Sequence, residues 1–361
     1  MKDAEADALT AAREFALGGI PLDARPYGSG HIHDTFIVTC RGDARRYVLQ
    51  RINGAVLKDP LLHIENARIV SEHLSRKFED PRRYLSFVYG RDGKPFWTDA
   101  QGRYWRGFLH IDGTRVRDTV EAQEDGYQAA KAFGAFIAAL SDLPVERVAE
   151  TIAHFHDTAK RFLALECAAA QDGLNRAASA QEEIEFAFAR KDLTGVLTAF
   201  EDMGELKRRV VHNDTKINNV LFDQKTGEGL CVVDLDTVMP GLALYDIGDF
   251  IRTALSSSQE DERDLEKIAV RMPVFQALAR GFLEELGEEV GAVERDQMVF
   301  SGKLITYELG MRFLTDYLTG DGYFKISRPG QNLDRARAQF ALVRDIERKE
   351  EEMMKIVSRL G

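Results

Sequence analysis

The chain has 361 residues, 44% of them hydrophobic and 30% charged, the balance of an ordinary folded globular protein, which excludes a small stapled scaffold and a disordered or fibrous chain. Lys and Arg number 48 against 59 Asp and Glu, a net charge of −11, and no basic run is long enough to track a phosphate backbone, which argues against a nucleic-acid partner. Cys40, Cys167 and Cys231 are odd in number, far apart and without C-x-x-C spacing, and read as reduced packing residues of a cytosolic protein. Met1 to Leu17 lacks the basic and apolar regions of a secretory signal, and no stretch approaches the ~20 apolar residues of a membrane span.

Taken in chain order, residues 2 to 18 predict an amphipathic helix with Ala8, Ala12, Phe15 and Ala16 on one face and Gly18-Gly19 as its stop. Short β runs follow at Thr35 to Thr39 and Tyr47 to Ile52, separated by the turn signals Gly28-Ser29-Gly30 and Gly42-Asp43. A helix from about Leu61 to Phe78 precedes two further candidate strands, Tyr84 to Val88 and Tyr104 to Ile111. The first 110 or so residues thus read as an antiparallel sheet carrying one main helix.

From about Val120 the apolar period becomes helical, in Ala129 to Leu140, Ile152 to Ala170, Gln181 to Ala189 and Leu193 to Met203. One β island interrupts it: Val210-Val211-His212, Val220-Leu221-Phe222 and Leu230 to Val233, with Thr226 to Gly229 closing a hairpin. Helices resume over Asp246 to Leu255, Ile268 to Leu286, Phe300 to Leu318 and Leu333 to Leu360. No internal repeat or low-complexity segment is present, and the Glu347 to Glu352 charge cluster reads as a solvated helix face.

The β island holds the chemistry. His212-Asn213-Asp214-Thr215-Lys216-Ile217-Asn218-Asn219 has the spacing H-x-D-x-x-x-x-N on a loop before a strand, and Asp234-Leu235-Asp236 begins fifteen residues later. That spacing resembles the catalytic loop of protein-kinase-like phosphotransferases, and phosphoryl transfer needs a carboxylate near the acceptor hydroxyl, oxygen ligands for Mg²⁺ and cations to neutralise the phosphates. Asp214 fits the first role, Asn219 and Asp234 the second through the hairpin that joins them, and Lys216 the third. His212 reads as a packing residue that holds the loop. Asp236, two residues beyond Asp234, is a second metal ligand or a solvated neighbour.

These residues resemble the catalytic loop of protein-kinase-like phosphotransferases, in the aminoglycoside phosphotransferase and choline kinase family. Tyr27 to Phe36, Leu49-Gln50-Arg51, His212 to Asn219, Asp234 to Asp249 and Arg312 to Tyr323 are similar in wording to N-acetylhexosamine 1-kinases. The resemblance spans nearly the whole chain. It implies an α+β, bilobal protein-kinase-like fold, with residues 1–111 as a nucleotide-binding lobe and 112–361 as a mostly helical lobe for catalysis and the acceptor. It implies ATP and Mg²⁺ as cofactors and a small-molecule acceptor, an amino sugar phosphorylated at its anomeric hydroxyl. Choline, an amino acid, methylthioribose or an aminoglycoside as acceptor, or a silent nucleotide-binding pseudokinase, are the alternatives.

Within that frame Gly28, Ser29 and Gly30 bring backbone N–H groups to the phosphates, or are merely a turn. The resemblance aims residues of the loop His31, His33, Asp34 at the sugar, with a polar turn as the plain reading of His33. Arg51 stands where the strand lysine of a kinase would be, and Glu65 or Glu72 is its expected carboxylate partner, the resemblance favouring Glu65. Phe108 to Asp112, with His110, is the connector beside the adenine. Asp246 and Asp249 brace the catalytic loop through backbone N–H groups. Glu308 and Arg312 have i, i+4 spacing, and the resemblance turns Arg312 and Tyr323 toward the sugar. His154, His156 and Cys231 lack metal-ligand spacing and read as structural.

Overall fold

A computed structural model of the chain describes residues 2–28 and 32–360. The chain begins with α1 (Lys2–Glu14), the strands β1 (Ile20–Pro26), β2 (Asp34–Arg41) and β3 (Asp43–Arg51), and α2 (Pro60–Lys77). Four more strands follow, β4 (Phe87–Val88), β5 (Trp97–Thr98), β6 (Tyr104–Leu109) and β7 (Thr114–Arg115). The helices α3 (Gln123–Ala139), α4 (Thr158–Gln171), α5 (Gln181–Phe188) and α6 (Val196–Asp202) lead to β8 (Arg209–Val211), β9 (Val220–Asp223), β10 (Gly229–Val232) and β11 (Met239–Gly241). The rest is helical: α7 (Ala243–Leu255), α8 (Met272–Leu286), α9 (Ala292–Asp296), α10 (Met298–Thr319) and α11 (Gln331–Leu360). No helix among the described residues is long and apolar enough to cross a membrane.

The chain divides into two compact units. The first comprises residues up to Arg115 together with Asp142–Thr151 and Leu221–Pro240. Its main sheet is antiparallel in the order β1-β2-β3-β6-β4, with β5 also on β6. Side chains alternate between its faces. Phe36, Val38, Leu49 and Trp105 pack with Ala8, Ala11, Ala12 and Phe15 of α1 on one face, while Ile52, Leu57, Phe87, Phe96 and Tyr104 gather with Ile64 of α2 in a second cluster. α2 starts where Asp59 accepts a hydrogen bond from Leu62 N and Pro60 supplies a preset first turn, and it ends on Arg76 and Lys77. A second sheet, β10-β9-β7, buries Ile111, Leu230 and Cys231.

The second unit comprises Val116–Ser141, Ile152–Val220 and Gly241–Gly361. Its core draws Phe162 and Leu165 from α4, Ile184 and Phe186 from α5, Tyr307, Met311 and Phe313 from α10, and Phe340 and Val343 from α11. α7 and α10 approach so closely at Gly248 that a Cβ there would lie 2.5 Å from Ser301 O, so that position admits no side chain.

Several elements depart from the sequence reading. α1 ends at Glu14 rather than at the glycine pair, because Phe15 bridges Gly90 and Ala16 N donates to Tyr89 O, pulling the chain out of the helix. β1 was hidden by Pro21 and Pro26, which an edge strand tolerates because one row of its backbone groups has no ladder partner. Only Phe87–Val88 of the run from Tyr84 is strand, and the helix expected from Leu193 splits into a 3₁₀ turn and α6. Cys40 and Cys231 are buried packing residues, but Cys167 is exposed.

Candidate active site

In the second unit the loop after β8 carries Asp214, and two backbone N–H groups at the loop's start are held by one carboxylate. Buried Asp246, on α7, accepts hydrogen bonds from His212 N at 2.8 Å and Asn213 N at 2.6 Å. That double acceptance holds Asn213 in the left-handed region at φ 65°. Thr215 Oγ1 donates to Asp246 O at 2.6 Å, and Thr253 Oγ1 donates to Thr215 O at 3.2 Å, so α7 cradles the loop along its length. His212 is fully buried with its ring edge-on to Phe133 and Phe136, and Asp214 N donates to its Nδ1 at 3.3 Å. It packs the loop, as its place in the sequence suggested.

Burial pushes the Asp246 carboxyl up to about 6, against the opposing pull of His212 and of the two N–H donors. Asp249, the other expected brace, instead holds Arg252 with its Oδ1 at 2.8 and 2.9 Å.

Asp214 itself remains part-exposed. Lys216 Nζ lies 2.9 Å from its Oδ2, and Asn219 Nδ2 donates to Asp214 O at 2.8 Å, with Oδ2 at 3.4 Å. The structure therefore brings Asp214, Lys216 and Asn219 together on one short loop. Because Nδ2 of Asn219 faces the Asp214 carbonyl, its Oδ1 is the amide atom turned away from it, a hard oxygen of the kind Mg²⁺ takes.

Farther along the second unit, His156 donates from Nδ1 to Glu308 Oε1 at 2.9 Å, and Thr158 Oγ1 donates to Glu308 Oε2 at 2.6 Å. Burial raises the Glu308 carboxyl, but His156, Arg312 and Thr158 outweigh it and leave it lowered. Glu308 thus commits both oxygens elsewhere than to a helical ion pair with Arg312. Arg312 instead stacks among Phe155, Tyr323 and Phe324 at 5.5 to 5.7 Å and donates to Tyr323 Oη at 3.3 Å. The exposed Tyr323 is carried on a loop that Asp316 anchors by accepting from Tyr323 N at 2.8 Å and Phe324 N at 2.9 Å. Arg312 and Tyr323, paired by resemblance alone, are in contact.

The first unit carries Asp234, just after β10, at φ 62° and ψ 60°. Two residues on, Asp236 is buried and grasped by Arg106, with Nη1 to Oδ1 at 2.6 Å and Nη2 to Oδ2 at 2.9 Å, while His33 Nε2 lies 2.7 Å from Oδ2. Burial raises the Asp236 carboxyl, yet Arg106 and His33 prevail and hold it well below the usual carboxylate range. Asp236 is accordingly not a solvated neighbour, and both of its oxygens accept hydrogen bonds within the first unit. His33 is likewise a buried structural residue and not a turn side chain in solvent.

The cation expected from β3 is corrected by strand alternation. Arg51 lies on the α1 side of the sheet, over the Trp105 ring, donating to Asp34 Oδ2 at 2.7 Å and to Asp7 Oδ2 at 2.9 Å. Glu65 and Glu72 do not pair with it; both hold Arg68, at 2.5 and 2.6 Å. The opposite face of the same strand pair presents Gln50 and, across from it, Arg106. Sequence reading missed Arg106, although a guanidinium inside the apolar run Trp105 to Leu109 signals a buried partner. Asp34, expected at the acceptor, is the cross-strand partner of Arg51.

In the expected connector, which lies within the first unit, His110 N donates to Arg46 O at 2.9 Å and so is committed to the backbone ladder. Its ring, packed edge-on to Tyr27 next to Gly28, donates to Asp112 Oδ1 at 2.8 Å and meets Tyr27 Oη at 3.1 Å. Burial is the main reason its imidazole is harder to protonate than usual. Gly28 has φ 78°, a conformation suited to glycine. Ser29, Gly30 and His31 lie outside the described residues.

Residues 23–279 match the phosphotransferase enzyme family, and the chain belongs to it. Its α+β architecture is the kinase-like fold of that family. Among solved structures, it is similar to a microcompartment-associated aminopropanol kinase, with a TM-score of 0.63 at 15% identity over 96% of this chain and 98% of that one. It is also similar to an aminoglycoside phosphotransferase from Alicyclobacillus acidocaldarius, with a TM-score of 0.60 at 12% identity over 97% and 96%. A choline kinase from Cryptosporidium parvum gives 0.57 at 14% identity over 94% and 93%.

Proposed function

We propose that this phosphotransferase is a Mg-ATP-dependent kinase of a small molecule, acting on the anomeric hydroxyl of an N-acetylhexosamine. The observation that carries the kinase reading is the braced loop on which Asp214, Lys216 and Asn219 are held in mutual contact. The similarity of residues 27–36 and 312–323 to N-acetylhexosamine kinases supports the acceptor, as does the Arg312 and Tyr323 contact. Solved phosphotransferases of the same fold hold ADP in one case and GDP in another, which supports a purine nucleotide as donor.

In this reading residues 1–111 serve the nucleotide and 112–361 the acceptor and the catalytic groups. Gly28 to Gly30 cover the phosphates, and Tyr27 and His110 flank the base. Asp214 orients the acceptor hydroxyl and takes its proton as the oxygen attacks the γ-phosphorus and the bond to the β-phosphate bridge oxygen breaks. Lys216 offsets negative charge on the transferred group. Asn219 and Asp234 hold Mg²⁺, which supplies charge neutralisation on the phosphates when bound. The acceptor meets Arg312, whose planar cation is already oriented by three aromatic rings, and Tyr323.

The test is ADP release against N-acetylglucosamine, N-acetylgalactosamine, plain hexoses, choline, aminopropanol, homoserine and aminoglycosides, with ³¹P NMR of the product. A sugar 1-phosphate formed only from N-acetylhexosamines is the expected result. Turnover confined to another acceptor replaces the sugar assignment and keeps the mechanism. Asp214→Asn is expected to lower kcat by about 10³-fold or more, the scale of losing a general base, with nucleotide affinity within about threefold.

A further inference from the structure

We propose that His33, Arg106 and Asp236 form a buried clamp whose task is to position Asp234 for its metal ion, so that these residues set the Mg²⁺ dependence of nucleotide binding without touching the metal. The inference rests on the assignment of Asp234 to Mg²⁺ made above.

Asp234 adopts the left-handed conformation, at φ 62° and ψ 60°, which Asp enters more readily than most residues with a Cβ but at a cost that its surroundings offset. The surroundings lie in the segment that follows it. The Asp236 carboxylate receives the fork of Arg106 at 2.6 and 2.9 Å, and its backbone carbonyl lies 2.7 Å from Nδ1 of buried His63 on α2. Two residues further, Val238 O accepts from Asn66 Nδ2, also on α2, at 3.0 Å. The chain after Asp234 is thus pinned at three successive points to β6 and α2, and one backbone geometry satisfies all of them.

The partners are themselves fixed. Arg106 Nε donates to Gln50 Oε1 at 2.9 Å, which leaves its guanidinium plane no rotation. His33 Nδ1 accepts from Asn53 N at 3.1 Å, so Nε2 carries the proton and donates to Asp236 at 2.7 Å. Side-chain exposures of 5% for His33, 2% for Arg106 and 7% for Asp236 leave no surface for substrate. A buried ion pair is a poor source of stability relative to apolar packing, and its best use is to specify one arrangement. His33 also immediately precedes β2, so the clamp joins the segment that follows the glycine loop to the segment that carries Asp234.

The experiment titrates Mg²⁺ in calorimetric binding of a non-hydrolysable ATP analogue to the full chain, with thermal unfolding alongside. Asp234→Asn is the reference and is expected to abolish the tightening by Mg²⁺. Asp236→Asn and Arg106→Met are expected to raise the apparent Mg²⁺ constant at least tenfold, with metal-free nucleotide affinity within threefold. Arg106→Lys keeps the charge but not the fork, so it falls between, and His33→Gln gives a smaller shift of about threefold. These two milder variants carry the test if the others do not fold. Folded variants with a Mg²⁺ constant within twofold of wild type, or with equal loss of affinity in the presence and absence of Mg²⁺, overturn the clamp. If Asp234→Asn also leaves the Mg²⁺ effect intact, the metal assignment fails and takes the clamp with it.

Discussion

The loop that carries Asp214 and the segment that carries Asp234 solve the same problem by different means. Each contains a non-glycine residue in the left-handed region, Asn213 at φ 65° and Asp234 at φ 62°. The first is held through its backbone: Asp246 accepts two main-chain N–H groups, and Thr253 donates to a main-chain carbonyl. The second is held largely through a side chain, Asp236, together with carbonyls gripped by His63 and Asn66. A backbone brace confines its effect to the shape of one loop. A side-chain clamp couples that shape to every residue that contributes to the cluster, in this case from β6, from the entry to β2 and from α2.

The sharpest way to break the first arrangement is Asp246→Asn. The amide turns an NH₂ toward one of the two backbone donors, and an orphaned buried donor costs about 1–3 kcal/mol, so both thermal stability and kcat are expected to fall markedly. The pH dependence gives a second reading of the same variant. Because burial raises the Asp246 carboxyl to about 6, its folded-state value lies above the unfolded one. Its contribution to stability is complete below about pH 4, declines as pH rises to about 6 and is flat beyond, on the order of 3 kcal/mol in all. Asn cannot titrate, so the stability gap between wild type and variant narrows across that window in denaturant titrations. A gap that widens instead shows the carboxylate to be held ionised by its N–H donors.

The same contrast explains what could be read in advance. The Asp214 loop is contiguous, so the spacing of His212, Asp214 and Asn219 announced it, and helical period and turn residues announced most of the elements. The clamp draws on positions 33, 106 and 236, and nothing local links them. Which cation of the sheet faces Asp236 depends on strand register: Gln50 lies opposite Arg106 and Arg51 opposite Trp105, and a shift of one residue exchanges the faces. An alignment on the kinase lysine points to Arg51 of β3, on the α1 face, whereas the cation that meets Asp236 is Arg106 of β6. Segments 142–151 and 221–240 join the first unit through contacts such as Asn66 with Ala149 and Arg82 with Asp223, which no periodicity reveals.

In the second unit, where Arg312 is proposed to meet the acceptor, Arg312→Lys separates charge from shape. Lysine keeps the cation but not the planar stacking on Phe155, Tyr323 and Phe324, a contribution of about 0.5–2 kcal/mol at partly covered sites. The KM for N-acetylglucosamine is expected to rise about tenfold while the KM for ATP stays put, since 1.4 kcal/mol corresponds to one decade. A rise in the ATP KM alone reassigns Arg312 to the nucleotide.

The smallest expected effect is the most discriminating between the two faces of the sheet. Arg51 forms ion pairs with Asp34 and Asp7, whose side chains are 58% and 40% exposed, on the side that α1 covers. Pairs of that exposure contribute about 0–1 kcal/mol, so Arg51→Gln is expected to change stability by no more than that and to leave the KM for ATP within about threefold. A kinase strand lysine behaves otherwise, because its cation meets the phosphates directly. An increase beyond tenfold in the ATP KM, at unchanged thermal stability, would return Arg51 to the phosphates and require the strand pair to present that residue to the nucleotide. Unchanged ATP kinetics keep Arg51 off the phosphates and agree with the proposal that Arg106, held on the opposite face by Gln50 and Asp236, acts on the nucleotide site instead.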